Sequence, residues 1–276
     1  MIARLLTACL FLVAMVLPVQ AAGPVLTIVL AGVERTIDRD ALLARSDVVT
    51  VDIPNDVSYG RPMRYRAVPL ASLIAADQFP KDAVLEGIAS DGFAALLPPE
   101  LCLRTADSGS VAFLAVEPPD QPWPPLPGKE VSAGPFYLVW VRPEASGVRS
   151  EQWPYQLARF ASTDSPLKRW PQLAVDAALP PDSPIRAGQT AFVTQCMACH
   201  TLNGAGSANV GPDLNRPMNP TEYLTPSGLA KLIRDPRAVR SWPNQQMPGF
   251  DVGMLSDGDL ERVIAYLTHM AGRKTP

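Results

Sequence analysis

Cys196-Met197-Ala198-Cys199-His200 is the stretch that decides the fold of the C-terminal part of this chain. Two cysteines stand two residues apart, and a histidine follows the second one directly. This spacing allows both thiols to bond to the two vinyl groups of one haem, while the adjacent imidazole binds the iron. The stretch therefore predicts one covalent haem held by Cys196 and Cys199, with His200 as an iron ligand.

Two other uses of a Cys-x-x-Cys pair compete with haem. The pair could be half of a zinc site or a thioredoxin-like redox pair. Zinc would need a second pair of ligands, but Cys102 stands alone and His269 is the only other histidine of the chain. The surrounding sequence therefore favours haem.

The first 21 residues have the features of a secretory signal peptide. Arg4 precedes an apolar run from Leu5 to Leu17, and Val19-Gln20-Ala21 offers a cleavage site. The run is shorter than the roughly 20 apolar residues that span a bilayer. We expect cleavage near Ala22 and no membrane span in the mature protein, with an uncleaved anchor as the alternative.

The charge balance argues against nucleic acid as a partner. Lys and Arg number 24 against 27 Asp and Glu, a formal net charge of −3. Removal of residues 1–21 takes away one arginine and no acid, so the charge becomes more negative. No basic run occurs in the sequence, and nucleic-acid binding needs such an electrostatic footprint.

Length and composition predict two domains. Five prolines from Ser162 to Pro184, with little hydrophobic periodicity, indicate a semi-rigid linker. We expect an N-terminal domain over residues 22–165, a linker over 166–182 and a C-terminal domain over 183–276.

Three helices are predicted in the C-terminal domain. The first begins at Ser183-Pro184 and leads into Cys196, and the second covers Pro226 to Arg234. The last begins at Ser256, where an acid three residues later resembles a capping box. Apolar residues then recur at helical spacing at Leu260, Val263, Ile264 and Leu267.

This order of elements resembles a class I cytochrome c over about residues 183 to 272. The resemblance includes Gly211-Pro212-Asp213-Leu214, Met247-Pro248-Gly249-Phe250 and Leu255-Ser256-Asp257 running into Tyr266. It implies an all-α cytochrome c fold whose first and last helices cross at Gly188 and Phe192 against Tyr266. It also implies haem attachment outside the cytoplasmic membrane, which fits a periplasmic protein.

The resemblance favours Met247 as the second axial ligand of the haem iron, because it matches the distal segment of the family. Met218 and Met254 are alternatives, but they are more typical of loop and core residues. His269 could give bis-histidine ligation, although the last helix of the family keeps that position away from the distal face. On the other side of the haem, we expect the Pro212 carbonyl to accept the imidazole N–H of His200.

The N-terminal domain is predicted to be α+β with a strand-rich core. One short helix is expected over Pro69 to Ala76. The proline-rich segment from Glu117 to Gly128 contains Trp123 and is either a docking surface or a loop pinned against the sheet, which we favour. The predicted strands are Val25–Leu30, Val48–Ile53, Val84–Ala89, Val111–Val116 and Phe136–Val141.

Several N-terminal motifs resemble the molybdopterin-binding oxidoreductase family typified by sulfite oxidase, in its small exported form. That family binds molybdenum through a cysteine that precedes the region matching Asp91-Gly92-Phe93, whereas Val25 to Ser90 contains no cysteine and Cys102 follows. Arg61, Arg64 and Arg66 could bind a pterin phosphate but are more typical of a solvated loop. The matching motifs are Val68-Pro69-Leu70, Asp91-Gly92-Phe93 with Leu97-Pro98, Gly134-Pro135-Phe136-Tyr137-Leu138-Val139-Trp140 and Trp153-Pro154-Tyr155-Gln156-Leu157.

Three functions are compatible with these patterns. The first is a periplasmic mono-haem electron-transfer protein whose N-terminal domain docks to a dehydrogenase or another redox protein. The second is a sulfite oxidase-like molybdopterin enzyme that passes electrons to its own haem, and the third is a haem-based sensor or a structural subunit. The missing cysteine counts against molybdopterin, and methionine ligation counts against a gas sensor, so we favour the first, with no catalytic residue.

Overall fold

The computed structural model describes residues 23–75, 79, 80, 82–105, 109–243 and 245–275. The predicted signal peptide, residues 1–21, lies outside them. Among the described residues, no helix is long and apolar enough to cross a membrane.

The N-terminal domain is strand-rich, as predicted, and contains two sheets. One sheet has the strand order β2-β1-β9-β5-β6 and the other has the order β3-β4-β7-β8. Three short helices, α1 (Arg39–Leu43), α2 (Leu70–Leu73) and α3 (Pro99–Cys102), connect strands. The strands are β1 (Val25–Leu30), β2 (Val33–Asp38), β3 (Val49–Ile53), β4 (Met63–Pro69), β5 (Ala83–Ala89), β6 (Ala94–Leu97), β7 (Val111–Val116), β8 (Phe136–Val141) and β9 (Leu157–Asp164).

All five predicted strands are present, with starts that shift by at most one residue. The helix expected over Pro69 to Ala76 is shorter, because α2 ends at Leu73 and Ile74 is extended; Ala76 lies outside the described residues. Arg64 and Arg66 are exposed to solvent, as expected, but the loop predicted for them is wrong, because they lie on strand β4. Pairing of β4 with β3 and β7 orders these residues.

The proline-rich segment is pinned against the N-terminal core. Trp123 meets the ring of Tyr65 edge-on, with ring centroids 4.8 Å apart. The Glu117 carboxylate accepts hydrogen bonds from the Trp123 amide and from the Ser132 hydroxyl. The packing interpretation of this segment is therefore confirmed for Trp123, and its ring is not available as an exposed docking group.

The three predicted C-terminal helices are confirmed, and each begins at a side-chain cap. Ser183, Thr225 and Ser256 accept backbone N–H groups of the first turns of α5, α6 and α8. A short helix that was not predicted, α7, follows α6 because Asp235 both ends α6 and caps the next turn. The helices are α4 (Pro166–Arg169), α5 (Pro184–Gln195), α6 (Pro226–Arg234), α7 (Pro236–Val239) and α8 (Asp257–Ala271).

The segment between the domains is packed against the C-terminal helices. Leu173 and Val175 are buried in the C-terminal core. The Leu173 carbonyl accepts hydrogen bonds from the Tyr266 hydroxyl at 2.7 Å and from the Gln189 side-chain amide at 2.7 Å. The chain is therefore fixed to α5 and α8 before α5 begins.

Helices α5 and α8 cross in close contact at Gly188. A Cβ atom at this position would lie 1.9 Å from the Arg262 carbonyl oxygen and 3.0 Å from the Tyr266 Cβ. One turn later, the rings of Phe192 and Tyr266 pack with centroids 5.2 Å apart. The crossing predicted from these three residues is present.

Replacing Gly188 with alanine should therefore destabilise the protein, although alanine is favoured over glycine in helices by about 1 kcal/mol. We expect the free energy of unfolding to fall by about 1–3 kcal/mol, because the added methyl group forces the helices apart. Denaturant unfolding followed by helical circular dichroism measures this. Gly258→Ala is the control, because its nearest neighbour, Arg262 Nη1, is 3.9 Å away; equal losses in both variants would contradict the crossing argument.

Candidate haem site

The Cys-x-x-Cys-His motif forms a tight turn at the end of α5. Cys196 caps the helix, and its carbonyl accepts the amides of Cys199 at 3.2 Å and His200 at 2.9 Å. Both cysteines are free thiols, the form required for addition of S–H across a vinyl group. Burial raises the pKa of each thiol to about 12, so both are protonated at neutral pH.

The His200 imidazole is held by one hydrogen bond and one tight contact. Its Nδ1 lies 2.8 Å from the Pro212 carbonyl, so Nδ1 is the donor and Nε2 is left for iron. Burial lowers the pKa of His200, which favours the neutral, metal-binding form. A Cβ at Gly211 would lie 2.5 Å from the ring, so only glycine leaves room there. The predicted hydrogen bond to Pro212 is confirmed.

Asp213 organises the loop that follows the motif. Its carboxylate accepts the amides of Asn203, Gly204, Asn215 and Arg216. The Thr201 hydroxyl also donates to it, at 3.0 Å. Burial alone would raise the pKa of Asp213, but these hydrogen bonds outweigh burial and lower it. The carboxylate therefore fixes the loop that brings Pro212 to His200.

Three buried asparagines tie this loop to the end of α8, and sequence reasoning missed them. Asn215 donates to the Asn203 side chain and to the Met270 carbonyl, both at 2.8 Å. Asn219 donates to the Asn215 side chain and to the Leu267 carbonyl. Polar residues in a loop normally indicate exposure, so only the three-dimensional contacts reveal this series.

The structure distinguishes Met247 from Met218 by burial, but Met254 is partly buried like Met247. Met247 is partly buried and packs against the C-terminal core, whereas Met218 is 50% exposed. Met254 packs against the same core, and its carbonyl accepts the Gln195 side chain. His269 accepts the Asp176 amide through Nε2 at 3.2 Å, which occupies that nitrogen away from the motif.

Arg234 clamps the chain that follows Met247, a role that the sequence did not suggest. Its guanidinium donates to the carbonyls of Phe250, Asp251 and Leu255. Gly249 passes so close to α6 that a Cβ there would lie 2.5 Å from the Arg234 carbonyl. The segment carrying the thioether is thus fixed from its C-terminal side.

The N-terminal residues considered for molybdopterin are buried or bound to other protein groups. Cys102 is fully buried, and burial raises the pKa of its thiol far above the usual range. Arg64 pairs with Asp52 at 2.6 Å, and Arg66 donates to the Leu43 carbonyl. Both arginines are therefore engaged with protein groups on an exposed strand.

The N-terminal domain contacts the Cys-x-x-Cys-His motif directly. The Ala94 amide at the start of β6 donates to the Ala198 carbonyl, inside the motif, at 3.0 Å. Gly92, with φ of +90°, allows the β5–β6 turn to approach Asn209, because a Cβ there would lie 1.7 Å from the Asn209 side chain. The second domain is therefore seated beside the cysteines.

A cysteine pair, an oriented imidazole and a clamped methionine segment on a helical scaffold define a c-type haem-binding domain. Residues 185–271 match the model of the Cytochrome c family. Over these residues the C-terminal domain is similar to the Cytochrome c family, and the match supports an electron-transfer haem protein. No curated protein matches the chain significantly, and the family match does not include the β-rich N-terminal domain.

Asp213→Asn should destabilise the haem domain. The amide group that replaces one oxygen cannot accept two of the five donors, and each buried donor left unpaired costs about 1–3 kcal/mol. We expect the free energy of unfolding at pH 7 to fall by about 2–4 kcal/mol in denaturant titrations.

We also expect the effect of Asp213→Asn on the free energy of unfolding to depend on pH. The pKa of Asp213 in the folded protein lies below its ordinary value of 3.8. The ionised carboxylate therefore stabilises the folded protein fully above that value, and this stabilisation is lost as pH falls through the folded pKa. The difference between wild type and Asp213→Asn should shrink below about pH 4. Asp182→Asn, at an exposed position before α5, is the control; a loss of similar size there would contradict the role of Asp213.

Proposed function

We propose that this protein is an exported, periplasmic electron-transfer protein with one covalent haem c. Cys196 and Cys199 would form the thioether bonds of the haem, and His200 and Met247 would be the ligands of its iron. The observation that carries the proposal is the His200–Pro212 hydrogen bond, because it orients an imidazole that directly follows two free thiols. When bound, the haem supplies an iron centre that takes up and releases one electron at a time.

The chain's own residues set the properties of this centre. Pro212 fixes the ring orientation of His200 and increases the basicity of its free nitrogen. Arg234 restrains the segment that presents the Met247 sulfur. A thioether ligand raises the potential of a haem iron, so we expect an electron acceptor with a raised potential.

We further propose that the N-terminal domain is a docking module for a periplasmic dehydrogenase or another redox protein. Electron-transfer encounters use small, transient interfaces, and a cytochrome domain alone offers little surface for selecting a partner. The hydrogen bond from the Ala94 amide to the Ala198 carbonyl supports this role, because it joins the N-terminal domain to the Cys-x-x-Cys-His motif. The burial of Cys102 favours this role over molybdopterin catalysis.

Ligand substitutions test the haem assignment. Denaturing electrophoresis with haem staining should show colour in wild type and in Met247→Ala, because neither cysteine is changed. Cys196→Ser with Cys199→Ser should abolish the colour. The ferric wild type should show the weak near-infrared sulfur-to-iron band, and Met247→Ala should lose it.

Met218→Ala is the matched control for this experiment, because Met218 is exposed and should leave the band intact. Persistence of the band in Met247→Ala together with its loss in Met218→Ala would move the ligand to Met218. Colour remaining in the double serine variant would overturn covalent attachment.

Removing the N-terminal domain tests docking. A chain of residues 166–276 keeps Leu173 and Val175, which belong to the C-terminal core, and should keep the haem spectrum. We expect its reduction by the partner dehydrogenase to slow by about tenfold or more, as loss of roughly 1.4 kcal/mol of interaction predicts. Reduction by dithionite is the control. Equal enzymatic rates, or stoichiometric molybdenum in the full chain, would contradict the docking role.

A further inference from the structure

Glu151 is an acid of the N-terminal domain in a turn that packs against the helix leading into the haem attachment cysteines. The turn, Ser150–Gln152, contacts α5 and β6, and Cys196 caps the C-terminal end of α5. After burial, the negative charge of Glu151 contributes to the raised pKa of the Cys196 and Cys199 thiols. Neither cysteine is an iron ligand, so Glu151 belongs to the haem attachment side of the site.

The surroundings of Glu151 leave its charge largely uncompensated. The Ser150 hydroxyl donates to it at 3.4 Å, a long hydrogen bond. The neighbouring Arg149 is directed to Asp259 on α8, at 3.8 Å. Asp91, whose charge also contributes to the raised pKa of Cys199, is an acid as well and cannot compensate Glu151. Among the described residues, no ion pair of Glu151 occurs, and burial raises the pKa of its carboxyl to about 7.

We propose that Glu151 is a redox-tuning residue: its ionised carboxylate, held by the N-terminal domain beside Cys196 and Cys199, lowers the reduction potential and couples electron uptake to proton uptake. The inference rests on the proposed function of the C-terminal domain. It assigns to the N-terminal domain a role in setting the potential, in addition to docking.

The negative charge of Glu151 determines the direction in which this residue shifts the reduction potential. A negative carboxylate stabilises ferric iron over ferrous iron, because the ferric form has one more positive charge. Its interaction with that charge is stronger at a partly buried position such as Glu151 than it would be in bulk water. One electron from a redox partner therefore brings one proton from solvent onto the Glu151 carboxylate, and oxidation releases both.

The pH range in which the reduction potential changes follows from the linkage between proton binding at Glu151 and electron binding at the haem. Below the pKa of Glu151 the carboxyl is neutral and the potential is high; above it the carboxylate is charged and the potential is low. Between the ferric pKa and the higher ferrous pKa the potential falls with pH. Each unit of difference between these two pKa values changes the electron-transfer equilibrium tenfold, which is about 59 mV for one electron.

Spectroelectrochemical titration of the full-length holoprotein from pH 5 to pH 9 tests the inference. In wild type the potential should fall steeply between about pH 6 and pH 8. Glu151→Gln should lose this fall, match wild type at pH 5 and exceed it at pH 9. Glu144→Gln removes an exposed acid from the preceding turn of the same segment and should behave as wild type.

Two further measurements separate tuning from structural damage. Glu151→Asp keeps an acid and should retain a pH-dependent potential. Reduced-minus-oxidised infrared spectra at pH 7 should show a protonated carboxyl band that Glu151→Gln lacks. A wild-type pH profile in Glu151→Gln, or a constant offset with unchanged slope, would overturn the inference while leaving the haem assignment intact. Absence of any haem redox signal would overturn the proposed function and this inference together.

Discussion

The close crossing of α5 and α8 is the constraint on which the haem site depends. Gly188 lets the two helices touch, and Phe192 with Tyr266 fills the contact. Because the Cys-x-x-Cys-His motif leaves the end of α5 without an intervening loop, the angle of that helix sets where both thiols emerge. Tyr266 also binds the Leu173 carbonyl, so one side chain joins the crossing to the segment that enters the domain.

Side chains, not regular backbone pairing, hold the two loops that flank the haem site. The Asp213 carboxylate accepts backbone amides of the loop that follows His200. The Asn203–Asn215–Asn219 series connects that loop to the last turns of α8. Arg234 likewise holds the segment that follows Met247. Buried networks of this kind rigidify a site when every member is satisfied. A rigid ligand set suits electron transfer, in which both oxidation states share one geometry.

Local signals made much of this architecture predictable, and long-range contacts account for part of what was missed. Caps at Ser183 and Ser256 mark helices because they act within one turn. Strands β2, β4, β6 and β9 were not predicted. Strand β9 pairs with β1 and β5, which precede it by more than 60 residues, but β2 and β6 pair with their neighbours in the chain. The Cys-x-x-Cys-His motif is likewise local, whereas Arg234 and the asparagines act on carbonyls and side chains distant in sequence. The choice of Met247 came from a family resemblance, and no local rule selects it.

The contact between the domains gives the proposed tuning its physical meaning. Glu151 belongs to the N-terminal domain, so its distance from the cysteines is set by the Ala94–Ala198 hydrogen bond and by the close approach of Gly92 to Asn209. An acid on the cytochrome domain itself would act on the haem whatever the position of the second domain. An acid on the second domain acts only while the two domains are packed together. A partner that loosens this contact on docking would therefore raise the potential of the haem at neutral pH and favour its reduction, which joins partner selection and electron uptake in one interface.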